Sequence, residues 1–195
     1  MNLRSGRLNL PNLLTLGRVA VIPLLVVIML SDSREAGFWA AALFGAAAVT
    51  DFIDGWLARK WGVVTVLGKF LDPLADKLIV MAALIMLIPH GRVPAWAVFL
   101  LLAREVIITG LRSIASSEGI VIDASDLGKV KTIYQMVAIP GLLLHYDYYW
   151  FFGVRHEWLH VNMHNFGMFF FVIALVLTLW SGLDYLFKFF RVLTR

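Results

Sequence analysis

Six long apolar stretches fill most of this chain, and they leave a membrane helix bundle as the fold it can adopt. They run at about Leu10–Leu30, Gly37–Leu57, Leu71–Pro89, Val93–Ile114, Val130–Tyr149 and Asn165–Phe190. A helix needs roughly 20 apolar residues to cross the hydrocarbon core, so the 195 residues hold six spans with short connections. The mean hydropathy of +0.82 and the charged fraction of 15% argue against a soluble domain of this size, which would carry more charge on its surface. The stretches are continuous rather than alternating, and regular turn signals are lacking, so a β-barrel does not fit. The expectation is an all-α integral membrane protein with six transmembrane helices and a single domain over residues 1–195. No cysteine is present, which removes disulfides and Cys-ligated metal centres.

Lys and Arg in the connections set the orientation. One side collects Arg4, Arg7, Arg59, Lys60, Lys69, Arg112, Lys129, Lys131, Lys188, Arg191 and Arg195, against Arg34, Arg92 and Arg155 on the other. Both termini are therefore expected in the cytoplasm. The first apolar run follows Arg4 and Arg7 as in a signal peptide. It is long enough to span, and "SDSREAG" offers no small-x-small cleavage site, so it reads as a retained helix.

Into this apolar chain the stretch "TDFIDGWLARKWGVVTVLGKFLDPLADK" places Asp51, Asp54, Asp72 and Asp76 at the cytoplasmic ends of the second and third spans. Residues three and four apart share a helix face. Asp51, Asp54, Gly55 and Ala58 line one stripe, and Gly68, Asp72 and Asp76 line another. A short connection makes the two spans antiparallel neighbours whose stripes can meet. Four carboxylates in a poorly solvated site cannot all stay ionised without countercharge. Two hard divalent cations, Mg²⁺ or Mn²⁺, supply it, and a paired-metal site is suited to phosphoryl transfer. Gly55, Ala58 and Gly68 clear room for a flat ligand, and Arg59 adds a fixed positive charge. Intramembrane acids also occur in cation transporters, and a single one could pair with Lys69 or Lys77. Four of them at these spacings, among small residues, favour the metal reading.

The pattern Asp51-x-x-Asp54-Gly55-x-x-Ala58-Arg59, eight residues, then Gly68-x-x-x-Asp72-x-x-x-Asp76 resembles the signature of the CDP-alcohol phosphotransferases at all eight fixed positions. The resemblance implies a six-helix membrane enzyme, usually a homodimer, that moves a phosphatidyl or related group from a CDP-linked donor to an alcohol and releases CMP. By that likeness Asp51, Asp54, Asp72 and Asp76 hold the metal ions, and Asp76 is the general base. Gly55, Ala58, Arg59 and Gly68 fall where the family holds the CDP moiety. Asn12 and Thr15, in a polar stripe with Arg18 on the first span, join them as donor-binding candidates.

Within the family, "LPNLLTLGR", "LDPLADK", "AREVIITGLR" and "GKVKT" resemble the bacterial phosphatidylglycerophosphate synthases, a likeness that runs from about Leu10 to Gln135. It implies CDP-diacylglycerol as donor, glycerol 3-phosphate as acceptor, and a bacterial inner-membrane location with the active site facing the cytoplasm. Membrane lipids are the expected surroundings, and no nucleic acid is an expected partner. Arg104, Arg112, Lys129 and Lys131 bring cations to the fourth and fifth spans, where they could converge on the acceptor's phosphate. Each alone also fits ordinary positive-inside topology or lipid-headgroup contact. An inositol phosphate acceptor would want the same cluster, and phosphatidylglycerol is the acceptor of related cardiolipin-type enzymes.

One motif competes. "RHEWLHVNMH" contains His156-Glu157-x-x-His160, the zinc-protease pattern, with His164 a further turn along the same helical face. It has three fixed positions and falls in the expected external loop, beside the aromatic run "HYDYYWFF" of an interfacial belt. It is read as adventitious.

Overall fold

The computed structural model describes residues 10–61, 66–118, 126–148, 150–151, 154–155 and 161–193. Among these described residues lie six α-helices: α1 (Leu10–Ile28), α2 (Arg34–Trp61), α3 (Val66–Leu87), α4 (Ala95–Ser117), α5 (Asp126–Leu144) and α6 (Met163–Leu193). Each overlaps one of the expected spans. The helices run past the apolar stretches wherever a cap or charged residues continue the turn. α2 starts at Arg34, ahead of Gly37, because the Ser33 hydroxyl accepts the Ala36 N–H at 3.1 Å and caps its first turn. α3 starts at Val66, which takes the backbone of positions 68, 72 and 76 into a single helix. α6 is capped in the same way as α2, the Asn162 side-chain oxygen accepting the Asn165 N–H at 2.8 Å.

The chain divides into two compact units, residues 1–90 and 91–195. In the first, α1 packs against both α2 and α3. Its core joins Leu25 and Met29 to alanines 40, 41 and 47 and Phe44 of α2, and to Ala75, Ile79, Ala83, Leu84 and Leu87 of α3. Small residues here let helix backbones approach closely. After α1 the Met29 carbonyl lies 2.7 Å from His90 Nε2.

In the second unit α6 packs along α5 and also against α4. The α5–α6 crossing is backbone on backbone at Gly141 and Gly167. A Cβ on Gly167 would lie 2.6 Å from the Leu142 nitrogen, and one on Gly141 would lie 2.9 Å from the Gly167 Cα. Neither clash can be relieved by a side chain turning away. Gly167→Ala is therefore expected to force the helices apart and to cost about 1–3 kcal/mol, in the range of overpacked cores. Gly110→Ala on α4 has nothing within 4 Å of the new methyl and serves as the control. Thermal unfolding in detergent measures both, and equal melting temperatures for the two variants would contradict the tight crossing.

α5 ends where His145 takes a left-handed conformation, φ 56°, and donates its N–H to the Gly141 carbonyl at 3.0 Å. The buried Arg92 guanidinium donates to the Leu143 carbonyl at 2.6 Å and to that of Leu142 at 3.3 Å, a cation on the last turn of a helix. Between α5 and α6 the structure departs from the purely helical expectation. β1 (Asp147–Tyr148) pairs antiparallel with β4 (Val161–Asn162), and β2 (Trp150–Phe151) with β3 (Val154–Arg155). Aromatic and β-branched residues favour a pleated backbone. These strands correct one reading: β4 lies between the HExxH motif and His164, so no helix runs through to bring His164 onto the motif's face. His156, Glu157 and His160 lie outside the described residues.

Among the described residues, one helix, Met163–Val192, is long and apolar enough on its own to cross a membrane, and Gly17–Ile28 and Val130–Leu144 form shorter apolar segments. Charged residues along α2, α3 and α4 interrupt their apolar character, and these include Asp51, Asp76, Arg104 and Arg112. Phe169, Trp180 and Phe187 of α6 are each more than 60% exposed, as suits a surface facing lipid.

Candidate active site

The first unit assembles carboxylates around a buried cation. Arg18 lies on α1, and its side chain is only 4% exposed. Its Nη1 donates both to Asp51 Oδ1 on α2 and to Asp76 Oδ1 on α3. The two acids are separated by 25 residues in sequence, yet they meet at one nitrogen. Helical spacing alone predicts that the stripes of these spans can face each other directly; among the described residues α2 and α3 each pack on α1 instead, and Asp51 and Asp76 converge through Arg18. The partner that joins them was not expected to be an arginine from the first span. Both carboxylates remain partly open, 42% and 37% exposed, while the guanidinium is enclosed. A buried charge of this kind is tolerated only when paired.

Two hard oxygen donors from separate helices, already converging on positive charge and still accessible, fit the chemistry of a divalent cation. On the backbone, position 54 continues the α2 stripe one turn beyond Asp51, and positions 68 and 72 precede Asp76 along α3. The side chains of Asn12, Thr15, Asp54, Gly55, Ala58, Arg59, Gly68 and Asp72 lie outside the described residues. Among the described residues, no group of three or more His, Asp or Glu forms a metal-binding cluster.

The second unit gathers the remaining candidates around an acid. Glu105 on α4 accepts from Lys131 on α5 and, at 3.2 Å, from Arg104 Nη1 beside it. Arg104 then reaches α6, where Nε donates to the Thr178 carbonyl at 3.1 Å and Nη2 to the Ser181 hydroxyl at 2.9 Å. Gly182 makes room for this side chain, since a Cβ there would lie 2.9 Å from Arg104 Cγ. One network therefore ties α4, α5 and α6 together. Lys131 is 5% exposed. Arg112 stands apart from the network, two turns further along α4, exposed, with its guanidinium 5.7 Å from the centre of the Tyr185 ring on α6. The structure thus brings Arg104 and Lys131 together through Glu105, while Arg112 faces Arg104 as a like charge and shares none of the network's hydrogen bonds among the described residues. The Lys129 side chain lies outside the described residues.

Two residues without an assigned role in the sequence reading occupy these clusters. Arg18 gave a signal in its polar stripe with Asn12 and Thr15. Glu105 gave one as the acid within a group of cations on apolar helices, a position that asks for a pairing role.

The model of the CDP-alcohol phosphatidyltransferase family matches residues 8–180, across both units. The chain belongs to that family. Its relatives include the CDP-diacylglycerol–glycerol-3-phosphate 3-phosphatidyltransferase of Bacillus subtilis (strain 168), 46% identical over 70% of this chain and 77% of the relative. A protein of the same name from Rickettsia bellii is 43% identical over 70% and 75%. Another from Shigella flexneri serotype 5b is 40% identical over 91% of this chain and 93% of its own length. The family resemblance expected from the aspartate signature therefore holds, and membership makes the chain a phosphatidyltransferase.

Proposed function

We propose that this protein transfers the phosphatidyl group of CDP-diacylglycerol to glycerol 3-phosphate, giving phosphatidylglycerol phosphate and CMP. The observation that carries the reading is the 40% identity to a glycerol-3-phosphate 3-phosphatidyltransferase over 91% of the chain. The acceptor oxygen, from the C1 hydroxyl, attacks the phosphorus attached to diacylglycerol. The new P–O bond forms as the bond to CMP breaks, and CMP leaves with the electron pair. Asp76 takes the hydroxyl proton. Two divalent cations, Mg²⁺ or Mn²⁺, held by Asp51, Asp54, Asp72 and Asp76, would neutralise the pyrophosphate and the departing CMP. Asn12, Thr15, Gly55, Ala58, Arg59 and Gly68 hold the donor. Arg104, Arg112, Lys129 and Lys131 serve the acceptor phosphate, with Arg104 and Lys131 held in place by Glu105.

The protein works as one membrane domain over 1–195, a reading supported by a family match that runs through both units. Six spans are supported by the apolar runs, both termini in the cytoplasm and a cytoplasm-facing active site by the placement of Lys and Arg, and a bacterial inner-membrane location by the resemblance. A homodimer is the assembly the resemblance implies.

The test is CMP release by purified protein from CDP-diacylglycerol, offered a panel of labelled polyols and polyol phosphates with Mg²⁺ or Mn²⁺. Transfer to inositol phosphate in preference to glycerol 3-phosphate would keep the chemistry and change the acceptor. Asp76→Asn keeps the shape of the side chain but removes proton acceptance and one ligand charge. It is expected to lower kcat by at least about 10²-fold, with donor binding less affected. Near-normal kcat in this variant would remove Asp76 from the role of base.

A further inference from the structure

We propose that Gln135 is a specificity-determining residue that reads the secondary hydroxyl of a phosphorylated polyol acceptor. The inference rests on the assignment of Lys131 to the acceptor phosphate. Gln135 lies four residues after Lys131 on α5, and the two side chains are both buried, 6% and 5% exposed. Residues at this spacing lie one above the other on a helix, with Cβ atoms roughly 5–6 Å apart. A phosphorylated three-carbon polyol spans a comparable distance from its phosphate oxygens to its hydroxyls, so a ligand whose phosphate meets Lys131 can carry its hydroxyls along the same face to Gln135.

The second observation is an unmet hydrogen bond. The Gln135 amide Nε2 is buried and has no hydrogen-bond partner among the described residues. Buried amides are nearly always paired, because leaving water without a new partner is costly. The positions one turn further along α5, Ala138 and Ile139, are apolar and fully buried and offer the amide no side-chain partner. A hydroxyl oxygen of the acceptor would accept from this N–H. A site arranged in this way also discriminates, since an analogue lacking the hydroxyl leaves the amide unpaired.

The experiment crosses a variant with a substrate analogue. Glycerol 3-phosphate is compared with 3-hydroxypropyl phosphate, which keeps the phosphate and the primary nucleophilic hydroxyl and lacks the secondary one. The wild-type protein is expected to favour glycerol 3-phosphate by about tenfold or more in kcat/KM, the scale of one lost hydrogen bond at a buried polar group. Gln135→Leu should lower kcat/KM for glycerol 3-phosphate about tenfold and for the analogue by no more than about twofold. The preference then collapses toward one, while KM for CDP-diacylglycerol stays the same. Gln135→Met, unbranched and of similar length, should behave alike and covers the case in which the leucine variant does not fold. Equal use of both acceptors by the wild type, or a preference that survives in either variant while both rates fall together, would overturn the proposal. If the wild type releases no CMP with either phosphate but does so with another acceptor, the assigned reaction has failed instead.

Discussion

Chelation of divalent cations is expected to abolish CMP release, and added Mg²⁺ or Mn²⁺ to restore it, without loss of the fold. Asp51 and Asp76 share the guanidinium of Arg18 while remaining more than a third exposed. One arginine supplies one positive charge. Two carboxylates at the same nitrogen already exceed it, and the pyrophosphate of a CDP-linked donor adds further negative charge. Arginine keeps its proton under any working condition, so it can hold the acids together but cannot follow the charge that develops on the leaving group. Divalent ions on the open faces of these carboxylates would supply that stabilisation, in a site where electrostatic terms are usually the largest contribution to rate. Because Arg18 keeps Asp51 and Asp76 paired in the absence of metal, EDTA should remove turnover and leave helicity and the unfolding temperature nearly unchanged. Both are measured on one sample, by circular dichroism and by CMP release. Full turnover in chelator would rule out the paired-metal reading, and unfolding in chelator would show that the ions are structural.

The helices were legible because apolar runs of span length between clusters of charge leave little choice of backbone. Their ends were less so. The start of α2 depends on a Ser33 cap, and α3 begins among residues whose charge makes them look like loop. The β1–β4 and β2–β3 pairs were not foreseen, since two-residue strands are too short to show alternation, and the HExxH spacing imitated a helix across them. In the sequence, the four acids stood out because carboxylates are expensive in an apolar chain. The partner of Asp51 and Asp76 did not. Arg18 lies 33 residues from Asp51 and 58 from Asp76, and no local period links a cation on one helix to acids on two others. Glu105 was hidden for the opposite reason: beside Arg104 it reads as a local pair, and its reach to Lys131 appears only when α4 and α5 are both packed on α6.

Glycerol 3-phosphate is expected to react where glycerol does not, a difference of several orders of magnitude in kcat/KM. Both offer the same primary hydroxyl, so the chemistry at phosphorus is unchanged and only the grip on the acceptor differs. Charge-assisted hydrogen bonds contribute roughly 1.5–3 kcal/mol each, and two or three of them amount to a factor of about 10² to 10⁶. The structure ranks the cations that could make them. Arg104 has committed donors to the Thr178 carbonyl, the Ser181 hydroxyl and Glu105, so its first effect is to hold α6 against α4. Lys131 shares its ammonium with Glu105 but has three protons to distribute. Arg112 is exposed, with the Tyr185 ring beside its guanidinium and the like charge of Arg104 within reach. Its planar fork is therefore the one best able to take two phosphate oxygens at once. Arg112→Ala should raise KM for glycerol 3-phosphate by at least about tenfold, the size of one lost charge-assisted bond, with KM for CDP-diacylglycerol little changed. Arg104→Ala, by contrast, should lower the unfolding temperature, because it leaves Glu105 and the α6 acceptors short of a donor. Initial rates with each substrate varied in turn, alongside thermal unfolding, separate the two effects. Equal rates with glycerol and glycerol 3-phosphate, or an Arg112→Ala defect confined to the donor, would move the acceptor phosphate away from this group of cations.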